Sequence, residues 1–495
     1  MNVSHPLLAP YVPTAADPFD WTKAAHLLNR AGFGGTDEEI QKVLKLGPAG
    51  AVDWLMDFPD APANEQSQED VPDLSAVAEY KGGYKALYRK MLGKNEETKQ
   101  EIRREFQRAT GEALQNTVAW WMKRMAYGPY PMQEKLVLFW HGHFTTSAKD
   151  ERSATAMWQQ NELHRRFAAG NYKQYVHLIS KDAAMLDYLN NQQNRKQHPN
   201  ENYAREVMEL FTLGIGNYTE TDVKQGARAF TGWEHDGDDY VFRPYFHDNG
   251  VKYFLGESGN FNGDDIIEII FKQPSCPTFI ASELLTWFVT PNPEPKLAVA
   301  LGQVLKDNDW ELRPMLRTML SSKLFYQPTT IGVQIKCPIQ LVVGTTRQLN
   351  VETPKLRGIG GALNQMGQVP FYPPNVKGWP GGNMWISTST LFVRYNTAVY
   401  LAGGSSLPEF RRGKGGGREL LRAGGGGPEV DFDPTAPDAP PEKVVDHWLA
   451  CLIGRKVTDD KRQVLIDVMN DSGDNVQGVK KIVQLIVSMP DYQLC

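Results

Sequence analysis

Two imidazoles two residues apart, His141-Gly-His143, are the residues of this chain best suited to hold an ion. On a strand both would point the same way and chelate readily; on a helix they stand about 200° apart and cannot. The preceding run, Met132–Trp140, carries Leu136, Val137, Phe139 and Trp140 and reads as a helix, so chelation requires that helix to end near Gly142. The competing reading is a pair of hydrogen-bonded core histidines flanked by Trp140 and Phe144. His247-Asp248 could complete such a site, or could stabilise a turn, since an Asp side chain readily bonds the backbone that follows it. A third set is the string Asn200–Gly214. There Tyr203, Val207 and Leu210 make an apolar stripe, and Asn202, Glu206 and Glu209 fall on the neighbouring face. Two carboxylates together can bind metal or exchange protons. They can also be paired structurally, because Arg205 stands four residues before Glu209 and Arg228 is close in sequence.

The elements that would position these groups are mostly helices. Trp21–Ala31 is one; Thr36 with Glu39 three residues on caps the next, which runs to about Leu46 and is followed by Ala49–Phe58. Residues 85–110 are rich in Lys, Arg and Glu and read as a solvated helix, while Leu114–Met125, with Trp120 and Trp121, should pack tightly. Gly214 is a stop signal for the carboxylate string, and Thr219 with Asp222 caps the helix that carries Val223, Ala227 and Phe230. Tyr240–Phe246 and Val251–Leu255 alternate as strands around Asp248-Asn249-Gly250, predicting a small hairpin near 240–255. Pro370–Asn383 is an ordered loop rich in Pro, Gly and Trp. Residues 403–441 hold two glycine runs and a Pro-rich acidic tract and read as a flexible segment. The expected organisation is therefore mainly α: a multi-helical domain over 1–402 with the inserted hairpin, the flexible segment 403–441, and a C-terminal helical unit over 442–495.

Composition narrows the function. A net charge of −5 without a basic, aromatic-interleaved run excludes a nucleic-acid groove as the leading reading. No stretch reaches transmembrane length. The four cysteines, Cys276, Cys337, Cys451 and Cys495, show no CxxC and no zinc-finger histidine spacing, so they read as single buried thiols. No nucleophile-elbow, phosphate-loop, HExxH or dinucleotide motif is found. Met1–Pro10 lacks the basic and apolar regions of a signal peptide, which points to the cytosol or to export with a partner.

Several strings together resemble the bacterial family of domain of unknown function 1800. They are His26–Gly34, Phe139–Phe144, Ala184–Asn190, Asn200–Gly214, Tyr218–Val223, Ala227–Trp233, Phe246–Asp248, Pro370–Trp379 with Trp385, and Ser488–Gln493. The resemblance implies a polar set of His141, His143, Asn202, Arg205, Glu206, Glu209, Arg228, His247 and Asp248. It also implies a protein partner related to the alkaline phosphatase and sulfatase fold. One departure is Leu189-Asn190-Asn191, where the family has Leu-Asp-Asn. The leading expectation is a metal-dependent enzyme, a hydrolase or oxidoreductase. His141, His143, His247 and Asp248 would hold a divalent or redox ion, and Glu206, Arg205, Glu209 and Arg228 would do the chemistry. The alternative is a non-catalytic binding or assembly subunit that uses the Trp379–Trp385 loop.

Overall fold

Helix boundaries follow the capping signals closely. In the computed structural model, Asp20 accepts from the Lys23 amide to start the helix Trp21–Ala31. The Thr36–Glu39 capping box starts Asp37–Leu55, which kinks at Gly47 (φ 69°) just before Pro48, where the sequence divides it in two. Thr219 and Asp222 box the start of Glu220–Ala229. The structure describes residues 5–59, 71–80, 83–151, 153–351, 356–404, 427–428, 430, 432, 439–472 and 475–495. Most of the segment expected to be flexible, 403–441, lies outside them.

Among the described residues there are twenty-one α-helices and two small antiparallel sheets, so the protein is mainly α. The charged run and the tryptophan run are one helix, Glu96–Tyr127. Its exposed N-terminal half gives way to a half that buries Trp121, Met122 and Met125. No described helix is long and apolar enough to cross a membrane.

The helices enclose two apolar cores. One gathers Trp21–Ala31, Tyr172–Ile179, the carboxylate string and the helices from Gly263 to Leu320. The other gathers the end of Glu96–Tyr127, Pro338–Gln348, Thr388–Leu401 and the C-terminal helices Pro441–Leu452, Asp459–Asn470 and Asn475–Val487. The helix Pro131–His143 stands between them: Met132, Leu136, Phe139 and Trp140 face the first core, Val137 and Leu138 the second. It is buried all round, with Gln133, Glu134 and Lys135 buried alongside its apolar residues.

The β insert departs from expectation in its pairing. Asp239–Phe242 pairs backward with Trp233–Asp236 across Gly237 (φ 70°), and Lys252–Phe254 pairs forward with Glu257–Gly259. The second turn is set by Leu255 and Gly256, both at positive φ (46° and 85°), the geometry of a tight two-residue hairpin. Asp248-Asn249-Gly250 still turns the chain, with the Asp248 carboxylate accepting from the Gly250 amide at 2.8 Å, but it joins the two sheets instead of closing one.

Candidate functional site

The histidine helix keeps its helical path through Gly142 to His143. His141 and His143 therefore point into different cores. His141 lies against Trp121, Phe371 and Trp379, and its Nε2 accepts the Phe371 amide at 3.1 Å, which puts its proton on Nδ1. His143 stacks on Phe139, and its Nε2 donates to the Phe211 carbonyl at 3.1 Å, which leaves the lone pair on Nδ1. Burial pushes His141 down to about 3 and His143 to about 4, so both rings are neutral at ordinary pH. Beside Gly142 runs the loop that begins at Pro370; a Cβ on Gly378 (φ 76°) would stand 2.4 Å from the Gly142 carbonyl, so the close approach needs glycine at 378.

The Phe211 carbonyl needs these donors because its helix changes pitch. Asn202–Glu206 is α-helical, but Val207–Thr212 is a π-helix, ended by Leu213 and Gly214 amides that both bond the Met208 carbonyl at 2.9 and 3.1 Å. Gly214 (φ 79°) allows the stop; a Cβ there would meet Phe279 at 2.9 Å. His143 and the Tyr172 hydroxyl supply the Phe211 carbonyl in place of a backbone donor. Such π-turns are uncommon and are often found at functional sites.

The wider turn also separates the carboxylates. Asn202 and Glu206 line a cleft of about 520 Å³ together with Asp187 and Asn190. Glu209 lines a second cleft of about 710 Å³ with His143, Asn217, Phe279, Glu283 and Lys377. Val376 lines both, so the two carboxylates occupy adjoining hollows. Burial, and then the charge of Glu209, raise the Glu206 carboxyl above its ordinary range, with Lys377 and Arg205 pulling the other way. Glu209 accepts from the Tyr218 hydroxyl at 2.7 Å and lies 3.9 Å from the Lys377 ammonium. Burial and this bond push the Tyr218 phenol up to about 12, so it remains a donor. Burial also raises Glu283, which has no ion pair among the described residues.

A family model described as "Protein of unknown function (DUF1800)" matches residues 26–494. The chain belongs to this family. No curated protein matches it, and no solved structure does.

Within this DUF1800 chain the polar set divides between clefts and clamps. Glu206, Glu209, His143 and Asn202 reach the clefts. Arg205 does not pair with Glu209; it forks onto Glu220 at 2.7 and 2.8 Å and reaches Glu201 at 3.4 Å. Arg228 forks onto Asp248 at 2.7 and 3.1 Å, and this bond chiefly holds that carboxyl below its usual range. His247 Nδ1 donates to the Thr231 carbonyl at 2.9 Å, and the Thr231 hydroxyl accepts the Asp248 amide at 2.8 Å. Arg228, His247 and Asp248 thus fasten the β insert to Glu220–Ala229.

These bonds give the expected imidazole metal set other partners. His141 has no free lone pair, His143 faces the opposite core, and His247 is committed to Thr231. Among the described residues no group of possible ligand atoms includes any of the three. As placed, the three imidazoles do not converge on one point. In the Trp379–Trp385 loop, Trp385 is buried in the second core while Met384 is exposed. Asn190 adopts the left-handed conformation (φ 56°) that Asp and Asn both tolerate, so replacing the family's Asp costs the backbone little but removes a carboxylate from the smaller cleft. Sequence reasoning did not single out Tyr218, Glu283 or Lys377. Tyr218 and Lys377 lie inside strings that carry the family resemblance, whereas Glu283 had no signal beyond interrupting an apolar run.

Proposed function

We propose that the paired clefts form the active site of a hydrolase that acts on an uncharged polar substrate. The observation that supports this most is the pair Glu206 and Glu209. They lie in adjoining hollows, one carboxyl raised by burial and its neighbour's charge, the other held by Tyr218 and Lys377. Carboxylates whose environments differ in this way divide naturally into proton donor and charged partner. Glu206 gives its proton to the leaving atom as the scissile bond breaks, and Glu209 takes a proton from the attacking water. The water oxygen ends on the substrate fragment, and the two carboxyls exchange their proton through solvent before the next turnover.

The lining argues for the substrate class. Glu209, Glu283, Asp187 and Glu206 outnumber Lys377, so an anionic ester would be repelled. Ser275, Thr278, Ser282 and Asn217 offer neutral hydrogen bonds along walls that include Leu213 and Phe279. A panel of neutral glycosides, esters and amides, assayed with wild type, Glu206→Gln and Glu209→Gln, tests the reading. Turnover of one class, lowered about 10²- to 10⁴-fold in each variant, is expected. A substrate cleaved equally well by both variants would overturn the assignment.

A second reading has its own observation. Ile215, on the rim of the larger cleft, is 76% exposed, and exposed Val299 stands on the same rim. An apolar rim over an acidic hollow fits a docking groove for a protein partner, such as one of phosphatase or sulfatase type. Ile215→Asp would then abolish capture of that partner while leaving turnover of a small substrate intact.

A further inference from the structure

Outside both clefts, the C-terminal helix Pro441–Leu452 carries His447 and Cys451 four residues apart, on one helical face. That face meets the first turn of Asp37–Leu55. Cys451 Sγ lies 3.6 Å from His447 Nε2 and 3.8 Å from Asp37 Oδ1, and His447 Nδ1 lies 3.9 Å from the same oxygen. Among the described residues, these three form the one group of His, Cys, Asp and Glu whose ligand atoms all converge.

The distances are informative. The two sulfur contacts are weak thiol hydrogen bonds, while the His447–Asp37 separation is long for a hydrogen bond or a close ion pair. A tetrahedral zinc ion bound by sulfur at about 2.3 Å and by nitrogen and oxygen at about 2.0–2.2 Å has ligand–ligand edges of about 3.3–3.6 Å. With Nδ1 as the nitrogen the three edges are 3.8, 3.9 and 4.0 Å, a face of that tetrahedron opened by a few tenths of an ångström. His447 presents different nitrogens to its two neighbours, so a modest ring rotation would bring one of them onto the ion.

The surroundings hold the atoms in place without an ion. The Gln41 amide binds the other Asp37 oxygen, leaving Oδ1 for the thiol side. The Cys451 backbone is fixed by Gln348, whose amide donates to its carbonyl at 3.1 Å. The Trp21 indole donates to the Ala450 carbonyl at 3.0 Å, joining the same helix to the N-terminal region. Cys451 is buried, while Asp37 and His447 are partly open, which leaves a side for solvent to supply a fourth ligand.

We propose that Asp37, His447 and Cys451 form a site for a zinc-class divalent cation that ties the C-terminal helices to the start of Asp37–Leu55. One thiolate, one imidazole and one carboxylate favour such a borderline ion over magnesium or calcium. Binding exchanges the Cys451 thiol proton for a metal–sulfur bond and releases that proton to solvent, with no change in oxidation state. Because binding displaces that proton, occupancy strengthens as pH rises. This site is independent of the proposed hydrolytic clefts.

The test uses the full-length chain, stripped by chelator under reducing conditions and titrated with cobalt(II) alone, then with zinc(II) alone. One cobalt per chain, with a thiolate-to-cobalt charge-transfer band in the near ultraviolet that zinc displaces, is expected. Zinc should also raise Tm by several degrees. The band should vanish in Cys451→Ser, and affinity should fall about tenfold or more in His447→Ala and Asp37→Asn. Absence of the band, its survival in Cys451→Ser, or a Tm indifferent to zinc would overturn the proposal. If a variant does not fold, X-ray absorption of the zinc-loaded wild type decides: one sulfur among nitrogen and oxygen neighbours supports the site, and a shell without sulfur refutes it.

Discussion

The helices Pro131–His143 and Pro441–Leu452 each carry a histidine near a second potential ligand, at spacings of two and four. At spacing two the side chains diverge, and the helix lies between two cores, so His141 and His143 are drawn into different apolar surroundings. Each then makes a backbone bond that defines its tautomer. At spacing four the side chains share a face, and a third potential ligand, Asp37, arrives from the other end of the chain. The motif that looks most like a metal site has divergent side chains; the one without a recognisable pattern has the convergent geometry. Helical phase decides between them.

Breaking the histidine helix should give the largest effect. Glu134 receives Arg124, Arg165 and the Trp121 indole in a buried cluster; burial opposes its charge, but the two arginines outweigh this and hold it at about 2. Glu134→Ala leaves both arginines without that partner and should cost about 3–5 kcal/mol in denaturant unfolding. A loss below about 1 kcal/mol would mean that the buried cluster does not hold this helix between the two cores.

Acid sharpens the comparison. His141 and His143 are neutral when folded but take up protons near pH 6.5 when unfolded. Stability is thus full above pH 6.5 and falls as pH drops toward their folded values of about 3 and 4, by about 1.4 kcal/mol per pH unit for each. His26 and His164, also lowered by burial, act with the same sign. Asp182, raised by burial to about 7, acts oppositely and offsets part of the slope. Unfolding free energy measured from pH 7 to 5 should fall, less steeply in His141→Gln; a flat profile would contradict the neutral, buried assignment.

Smaller effects separate the two motifs directly. His141→Ala should cost about 1–3 kcal/mol by leaving the Phe371 amide without an acceptor, yet leave cobalt binding unchanged. Loss of the cobalt band in that variant would return the metal to the first motif. Asp248→Asn, at a partly exposed pair with Arg228, should cost about 1 kcal/mol or less in thermal unfolding. A larger loss would place the clamp on the β insert among the buried ion pairs.

Local signals were legible wherever the physics is local. The capping boxes at Thr36 and Thr219 and the stop at Gly214 need only neighbours in sequence, and all three appear where their residues require. Strand pairing was less legible, because Leu255 at positive φ does not announce a turn as Asp248-Asn249-Gly250 does. The carboxylate pair was visible as a face of a regular helix. Its division between two clefts was not, since the π-turn depends on His143 and Tyr172 satisfying the Phe211 carbonyl from other helices.

The sequence alone therefore determined the mainly helical class, most helix ends and the family. Apolar period, caps and glycines act over a few residues, and the family's strings run through nearly the whole chain. Tertiary structure decided which polar residues meet. Arg228 finds Asp248 instead of a glutamate, and Cys451 finds Asp37 from the far end of the chain. A side chain's direction follows from its own helix, but its partner follows from how that helix packs, and no spacing along the chain encodes that distance.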